Sequence, residues 1–141
     1  MAMKNKQTPR GLRNNNPGNI RISGVKYKGE IKSLDSAFKQ FESIEYGYRA
    51  VFMLLHTYNK KYSINTIEGM INRYAPSCEN HTDKYINVIC ENIGIAKNAK
   101  IDTTDISCMV PVVCVISFIE NGINANEDEV QRGWALFIKD V

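Results

Sequence analysis

An almost unbroken apolar segment, residues 110–119, constrains the fold of this chain more than any other feature, and it ends on a carboxylate, Glu120. The segment is rich in β-branched residues, which favour a buried strand. It is longer than an ordinary strand, however, and its neighbours in the sequence have helical spacing. We therefore predict a helix over residues 106–120, with Pro111 near its first turns or kinking it.

Apolar residues recur at helical spacing in four further segments. Residues that cap or end helices bound them, among them Ser43, Asn65, Pro76 and Gly94. This pattern predicts helices over residues 43–62, 65–74, 80–93 and 127–138.

The first third of the chain has little helical periodicity. Residues 14–19 read NNNPGN, a dense turn signal. Residues 20–22 and 25–27 are predicted to form a small hairpin or two short extended segments, and residues 1–12 a loose basic arm. With 141 residues, the chain is long enough for one core. We expect a single, mainly α domain with five or more helices and a minor β-hairpin near the N-terminus.

Charge is unevenly distributed along the chain. The overall net charge is +3, but the first 32 residues carry eight lysines and arginines against the single acidic residue Glu30. A basic face suits an anionic polymer, and both nucleic acid and the cell wall are anionic. Nothing beyond charge favours nucleic acid, because the segment has neither an aromatic-rich RNA-binding signature nor a helix-turn-helix pattern.

The four cysteines and two histidines lack the spacing of a zinc site, so we expect no metal and no cofactor. Reduced thiols are the expectation, and a catalytic pair of Cys78 and His81 is the weaker one. The N-terminus lacks the apolar core of a signal peptide, and no run reaches the roughly 18 apolar residues of a membrane span. We expect a chain made in the cytoplasm, not inserted in a membrane, that reaches a cell wall through non-classical export, lysis or a virion.

Glu120 is the first candidate for chemistry. An apolar segment that delivers one carboxyl group to its polar end raises the pKa of that group by desolvation and produces a general acid. Glycoside-cleaving enzymes use such an acid. The alternative is that Glu120 is simply the first solvated residue after a core segment, with Asn121 and Gly122 as a helix stop.

Three polar clusters stand outside the core pattern: residues 14–19, 79–82 and 120–122. Amide side chains and exposed backbone can bind the N-acetyl and hydroxyl groups of a polysaccharide, while carboxyl groups move protons. Each cluster also has a structural explanation, as a turn, a helix cap and a helix stop respectively.

Three blocks of sequence resemble a family of small lysozyme-like proteins of phages, prophages and bacterial genomes, some of them described as virion structural proteins. The blocks are RGLRNNNPGNIR at residues 10–21, FKQFESIEYGYRA at 38–50 and TIEGMINRYAPSCENHTDKYINVI at 66–89. The resemblance covers residues 10–122. It implies a lysozyme-like, mainly helical domain that acts on peptidoglycan as a muramidase or a lytic transglycosylase.

The order of these blocks is similar to a rotated version of bacterial glucosaminidases and lytic transglycosylases. In those enzymes a helix ending in Glu precedes the Asn-containing turn, whereas here no Glu precedes residues 14–19. A circular rearrangement would bring Glu120, at the other end, next to residues 16–19. The family's Arg-Trp-Ala-Pro block reads RYAP here, a mild change at Tyr74.

The resemblance also implies roles for individual residues. Glu120 would be the catalytic acid, and Glu79 would stabilise the oxocarbenium-like state or position water. Glu42 and Glu45 are weaker candidates, because a Glu at a helix start usually just favours the helix dipole. Four residues would orient the glycan: Asn16, Asn19, Tyr74 and Asn80. Two more, Arg49 and Arg73, would hold peptide carboxylates or support buried acids.

The expected function is therefore cleavage of the glycan strand of peptidoglycan. An alternative is a catalytically inert virion or secretion-apparatus component that keeps the fold and binds the wall. A third is a nucleic-acid-binding module that uses the basic first third of the chain. Besides peptidoglycan, an immunity protein or a virion protein is a candidate partner.

Overall fold

The computed structural model describes residues 8–76 and 81–141. Within these ranges the chain forms six helices and one two-stranded antiparallel hairpin, as expected of a mainly α chain. The elements are α1 (Arg10–Arg13), β1 (Glu30–Ile31), β2 (Gln40–Phe41), α2 (Ile44–Tyr62), α3 (Ile67–Tyr74), α4 (Thr82–Ile93), α5 (Ile106–Asn121) and α6 (Glu127–Ile138).

The helix ends follow the capping residues in the sequence. Ser43 and Asn126 accept the expected backbone N–H bonds at the starts of α2 and α6, and Asp105 does so for α5. Gly94 ends α4 in the left-handed conformation. The assignment of Asn65 as the cap of α3 is wrong by one residue, because the extended Thr66 accepts from the Gly69 N–H instead.

The core forms where α2 packs along α6, with α5 against both. Phe52 of α2 contacts Trp134 and Phe137 of α6, with ring centroids 5.0 and 5.8 Å apart. The apolar segment that ends at Glu120 is a helix and not a strand, as predicted. Pro111 lies inside α5, in its second turn.

The hairpin lies in a different place from the predicted one. Residues 20–22 pair with residues 37–39, since the Lys39 N–H donates to Ile20 O and the Ile22 N–H to Ala37 O. Residues 25–27 are not the partner strand, and the regular pairs join Glu30 to Phe41 and Ile31 to Gln40. A hairpin between residues 20–22 and 25–27 is therefore wrong, because residues 20–22 pair with residues 37–39, across a stretch that contains β1.

Of the segment expected to be a loose arm, residues 1–7 lie outside the described residues, and residues 10–12 belong to α1. Arg10 donates through Nε and Nη2 to the two carboxylate oxygens of Asp35, at 2.7 Å each. This pair, together with backbone N–H bonds to Asp35, holds the pKa of that carboxyl well below its usual range. The short helix α1 is thereby fixed against the loop before β2.

None of the described helices combines the length and the mean hydropathy that a membrane span requires. No group of three His, Cys, Asp or Glu side chains within the described ranges could hold a metal ion. Cys90, Cys108 and Cys114 are free thiols, while Cys78 lies outside the described residues.

Candidate active site

Glu120 lies in the last turn of α5 and is held by two hydrogen-bond donors from distant parts of the chain. Asn19 Nδ2 donates to its Oε1 at 3.0 Å, and the Tyr85 hydroxyl donates to its Oε2 at 2.9 Å. The prediction that the turn at residues 16–19 lies next to Glu120 is therefore confirmed at Asn19. The contact joins two polar clusters that are about a hundred residues apart in the sequence.

Burial raises the pKa of Glu120 above its ordinary value of 4.5. The bonds from Asn19 and Tyr85 and the positive charge of Arg21 oppose this effect, because each favours the ionised carboxylate. Burial is the larger influence. Glu120 therefore keeps its proton to a higher pH than an exposed Glu does.

Tyr85 is a hydroxyl donor at any physiological pH, because burial and the neighbouring Glu120 raise its pKa. It comes from the middle of α4, whose apolar face packs against α5. We did not identify Tyr85 as a partner of the acid from the sequence. Tyr85 lies in the third block of the resemblance, at residues 66–89, but its spacing there also fits an ordinary core residue.

Asn16 is responsible for the shape of the turn that carries Asn19. Its side chain is 0% exposed, and its Nδ2 donates to Ile20 O and Lys39 O at 2.9 Å each. Its Oδ1 accepts from the Ile20 N–H at 2.9 Å. All three bonds join the amide to backbone groups, so Asn16 braces the turn. The expectation that Asn16 orients the glycan is therefore wrong, because it does not line the cleft.

Asn121 fastens the same turn to the end of α5. Its Nδ2 donates to Pro17 O and to Ser117 O, both at 2.9 Å. The turn also lies directly on α2, where a Cβ at position 47 would overlap Asn15 O, so only glycine fits there. The sequence presented Asn121 as part of a helix stop and gave no sign of this role.

Glu120 opens into a cleft of about 680 Å³ on one side. Its walls are the end of the turn, the loop from Ile20 to Tyr27, and the end of α3 with Arg73 and Tyr74. On the other side Glu120 also borders a depression of about 360 Å³ lined by Tyr85, Phe118 and neighbouring residues of α4 and α5. Of the described residues that line these two spaces, Glu120 is the one carboxylate.

The cleft brings together four of the predicted site residues: Asn19, Arg73, Tyr74 and Glu120. The Tyr74 hydroxyl donates to Gly18 O, and this bond ties α3 to the turn. The Arg73 guanidinium lies over the Tyr62 ring, 3.9 Å from its centroid.

The remaining predicted residues do not line the cleft or lie outside the described ranges. Arg49 faces a neighbouring depression and donates from Nη2 to Asp140 Oδ2 at 2.9 Å. Glu45 accepts from Arg132 at 3.1 Å, and neither it nor Glu42 lines the cleft. Glu79 and Asn80 lie outside the described residues.

Comparison with known proteins relates the chain to a phage protein. No protein-family model matches the chain. It is 38% identical over 133 residues to Protein P5 of Pseudoalteromonas phage PM2, an alignment that covers 91% of this chain and 81% of the phage protein. With this identity over nearly the whole chain, the protein belongs to the same family as Protein P5 of that phage.

Proposed function

We propose that this protein cleaves the β-1,4 glycan of peptidoglycan with Glu120 as the general acid. The resemblance of residues 10–122 to small lysozyme-like proteins supports this assignment. The observation that carries it is the state of Glu120, a half-buried carboxyl group with a raised pKa, held by two donors at the junction of two open spaces. A polymer that passes through both spaces would present an internal bond to the acid.

In the first step protonated Glu120 gives its proton to the glycosidic oxygen, the bond from that oxygen to the sugar C1 breaks, and positive charge develops on the sugar. Glu120 is left as a carboxylate. Asn19 and Tyr85 already donate to its two oxygens. Hydrogen bonds to a carboxylate are stronger than those to the neutral acid, so these two donors stabilise the product of proton transfer more than its starting state.

The second step decides between two reactions. Hydrolysis by a carboxyl pair needs a second carboxyl group about 5–9.5 Å away, and Glu79 remains the candidate for it. In a lytic transglycosylase the ionised Glu120 would instead take the proton of the sugar's own C6 hydroxyl, whose oxygen attacks C1 and forms an anhydro end.

Two experiments test the proposal. The purified protein should lower the turbidity of a peptidoglycan suspension, and mass spectrometry of the digest should find either reducing ends or anhydro ends. Anhydro ends that survive Glu79→Gln would assign the transglycosylase reaction. Reducing ends that disappear in Glu79→Gln would assign hydrolysis by a carboxyl pair.

A catalytically inert virion component that binds the wall is the second candidate, and membership of a phage protein family favours it. The same assay separates the two. Protein that sediments with peptidoglycan but produces no new ends would support the inert component. An immunity or virion partner stays a prediction, as does the nucleic-acid-binding alternative.

A further inference from the structure

A second depression, of about 410 Å³, adjoins the cleft and is strongly basic. We call it the basic depression and define it by Lys26, Lys28, Arg49, Tyr58, Lys61 and Arg73, which all line it. None of its described lining residues is acidic. It lies beside the cleft at Glu120, because five residues line both spaces: Val25, Tyr27, Leu54, Tyr58 and Arg73.

The cations of the basic depression are only partly neutralised. Asp140 is shared by Lys28 and Arg49, at 3.1 and 2.9 Å. Lys26 lies 3.7 Å from Glu30, whose carboxylate is already bonded to Lys39. No described carboxylate lies within salt-bridge distance of Lys61 or Arg73. The basic depression therefore keeps a surplus of positive charge.

Arg49 is the most buried cation of the basic depression. Its side chain is 7% exposed, and its Nη2 is bonded to Asp140, but its buried Nε has no hydrogen-bond partner. A guanidinium normally satisfies its donors when it is buried. Arg49 therefore adds its positive charge to this wall from a largely buried position.

We propose that the basic depression binds the carboxylate-bearing peptide that branches from the glycan, while the glycan occupies the cleft at Glu120; this inference rests on the proposed function. Peptides that branch from peptidoglycan carry free carboxylates and small apolar side chains. The basic depression offers both kinds of surface, with Val25, Met53 and Leu54 as its apolar part. Its junction with the cleft at Tyr58 and Arg73 is where such a branch would leave the strand.

A nucleic acid fits this surface less well. Single strands bind by stacking bases on free aromatic faces beside a basic groove. Tyr62 is the most exposed ring here, at 44%. Two cations already lie near this ring, however, since Arg73 is 3.9 Å and Lys61 5.6 Å from its centroid.

The test compares binding of two soluble probes to the full chain by calorimetry. One probe is the disaccharide-peptide obtained from peptidoglycan, and the other is the same disaccharide with its peptide removed by an amidase. We expect the peptide to raise the affinity of the wild type by roughly tenfold, since two or three exposed charge pairs contribute up to about fivefold each.

The variants are matched in charge. Lys26→Gln/Lys61→Gln removes two cations of the basic depression, and Lys60→Gln/Lys100→Gln removes two exposed lysines that do not line it. We expect the first pair to reduce the effect of the peptide to about twofold and the second to leave it unchanged. Equal affinity of the wild type for both probes, or an equal loss in both variants, would overturn the proposal.

Two further measurements separate this inference from a nucleic-acid site and from the proposed function itself. A short single-stranded oligonucleotide that binds as tightly as the disaccharide-peptide, and loses affinity in Lys26→Gln/Lys61→Gln, would make the basic depression a nucleic-acid site and overturn the proposal. Cleavage of peptide-free glycan, followed in parallel, tests the function itself. Cleavage without any preference for the peptide would refute only the inference, and peptide-dependent binding without cleavage would refute only the enzymatic activity.

Discussion

The helices α2 to α6 and the N-terminal segment, residues 8–42, are stabilised by different kinds of contact. The helices bury apolar side chains, with Phe52, Leu55 and Phe137 fully enclosed. The N-terminal segment is held by polar side chains that bond to backbone or to each other, chiefly Asn16 and Lys39. The proposed acid comes from the helices, whereas one of its two donors and one wall of the cleft come from the N-terminal segment.

The two regions should therefore respond differently to substitution. Apolar packing tolerates changes of side chain as long as volume and pattern are kept. A buried polar contact needs its particular partner, because an unpaired donor or acceptor loses its full solvation. The segment that aligns Asn19 with Glu120 is therefore the more sensitive part of the proposed site, although it contains little regular structure.

The largest effect is expected for Asn16→Leu. The substitution keeps the approximate volume but leaves Ile20 N, Ile20 O and Lys39 O without their side-chain partner. At about 1–3 kcal/mol for each buried group, the free energy of unfolding should fall by at least about 3 kcal/mol. Chemical denaturation measures it, with the exposed Asn92→Leu on α4 as the control. A loss no larger than that of the control would contradict the account of the turn.

Lys39→Met should cost roughly 3 kcal/mol, because it leaves the buried Glu30 carboxylate with only the exposed Lys26, 3.7 Å away, as a cationic partner. Lys39 Nζ donates to both oxygens of Glu30 and to the carbonyls of Ser23 and Val25, and the two side chains are 0% and 8% exposed. The double variant Lys39→Met/Glu30→Gln should lose less stability than Lys39→Met alone. In Lys39→Met, amide exchange should increase more in residues 20–27 than in α2. An equal increase in both would contradict the claim that Lys39 holds this wall of the cleft independently of the helices.

Glu120→Gln should stabilise the protein at neutral pH. The folded protein binds the proton of Glu120 more tightly than the unfolded chain does, so the stability due to this group falls as the pH rises from below 4.5 through the raised pKa. A Gln cannot ionise and avoids that loss. Thermal unfolding should show a gain near neutral pH that disappears at a pH below 4.5, with no comparable gain for the exposed Glu91→Gln. A gain that is the same at every pH would rule out ionisation as its cause.

The smallest effect is expected for Tyr85→Phe. Loss of this donor removes a bond that favours the ionised carboxylate, so the pKa of Glu120 should rise further. The alkaline limb of the pH profile of peptidoglycan cleavage should then move to higher pH. Tyr74→Phe is the matched control, because that hydroxyl bonds to Gly18 O and not to Glu120. A limb that moves equally in both variants, or in neither, would contradict the assigned role of Tyr85.

The sequence predicted the helices well and the N-terminal segment poorly, for a physical reason. Apolar spacing and capping residues are local signals, and they located α2 to α6 to within a residue or two. The hairpin and the roles of Asn16 and Asn121 depend on contacts between residues distant in the chain, which local patterns do not reveal. The contact of Asn19 with Glu120 was predicted from resemblance to other proteins, and Tyr85 was missed.

The most direct test of the central claim is the rate of peptidoglycan cleavage by Glu120→Gln relative to the wild type and to Glu45→Gln. Gln keeps the shape of Glu120 but has no proton to transfer, so turnover should fall by roughly 10²–10⁴-fold while binding to peptidoglycan is retained. Glu45, which pairs with Arg132 away from the cleft, should be replaceable by Gln with little loss of rate. A Glu120→Gln protein that cleaves peptidoglycan at the wild-type rate would show that Glu120 is not the acid.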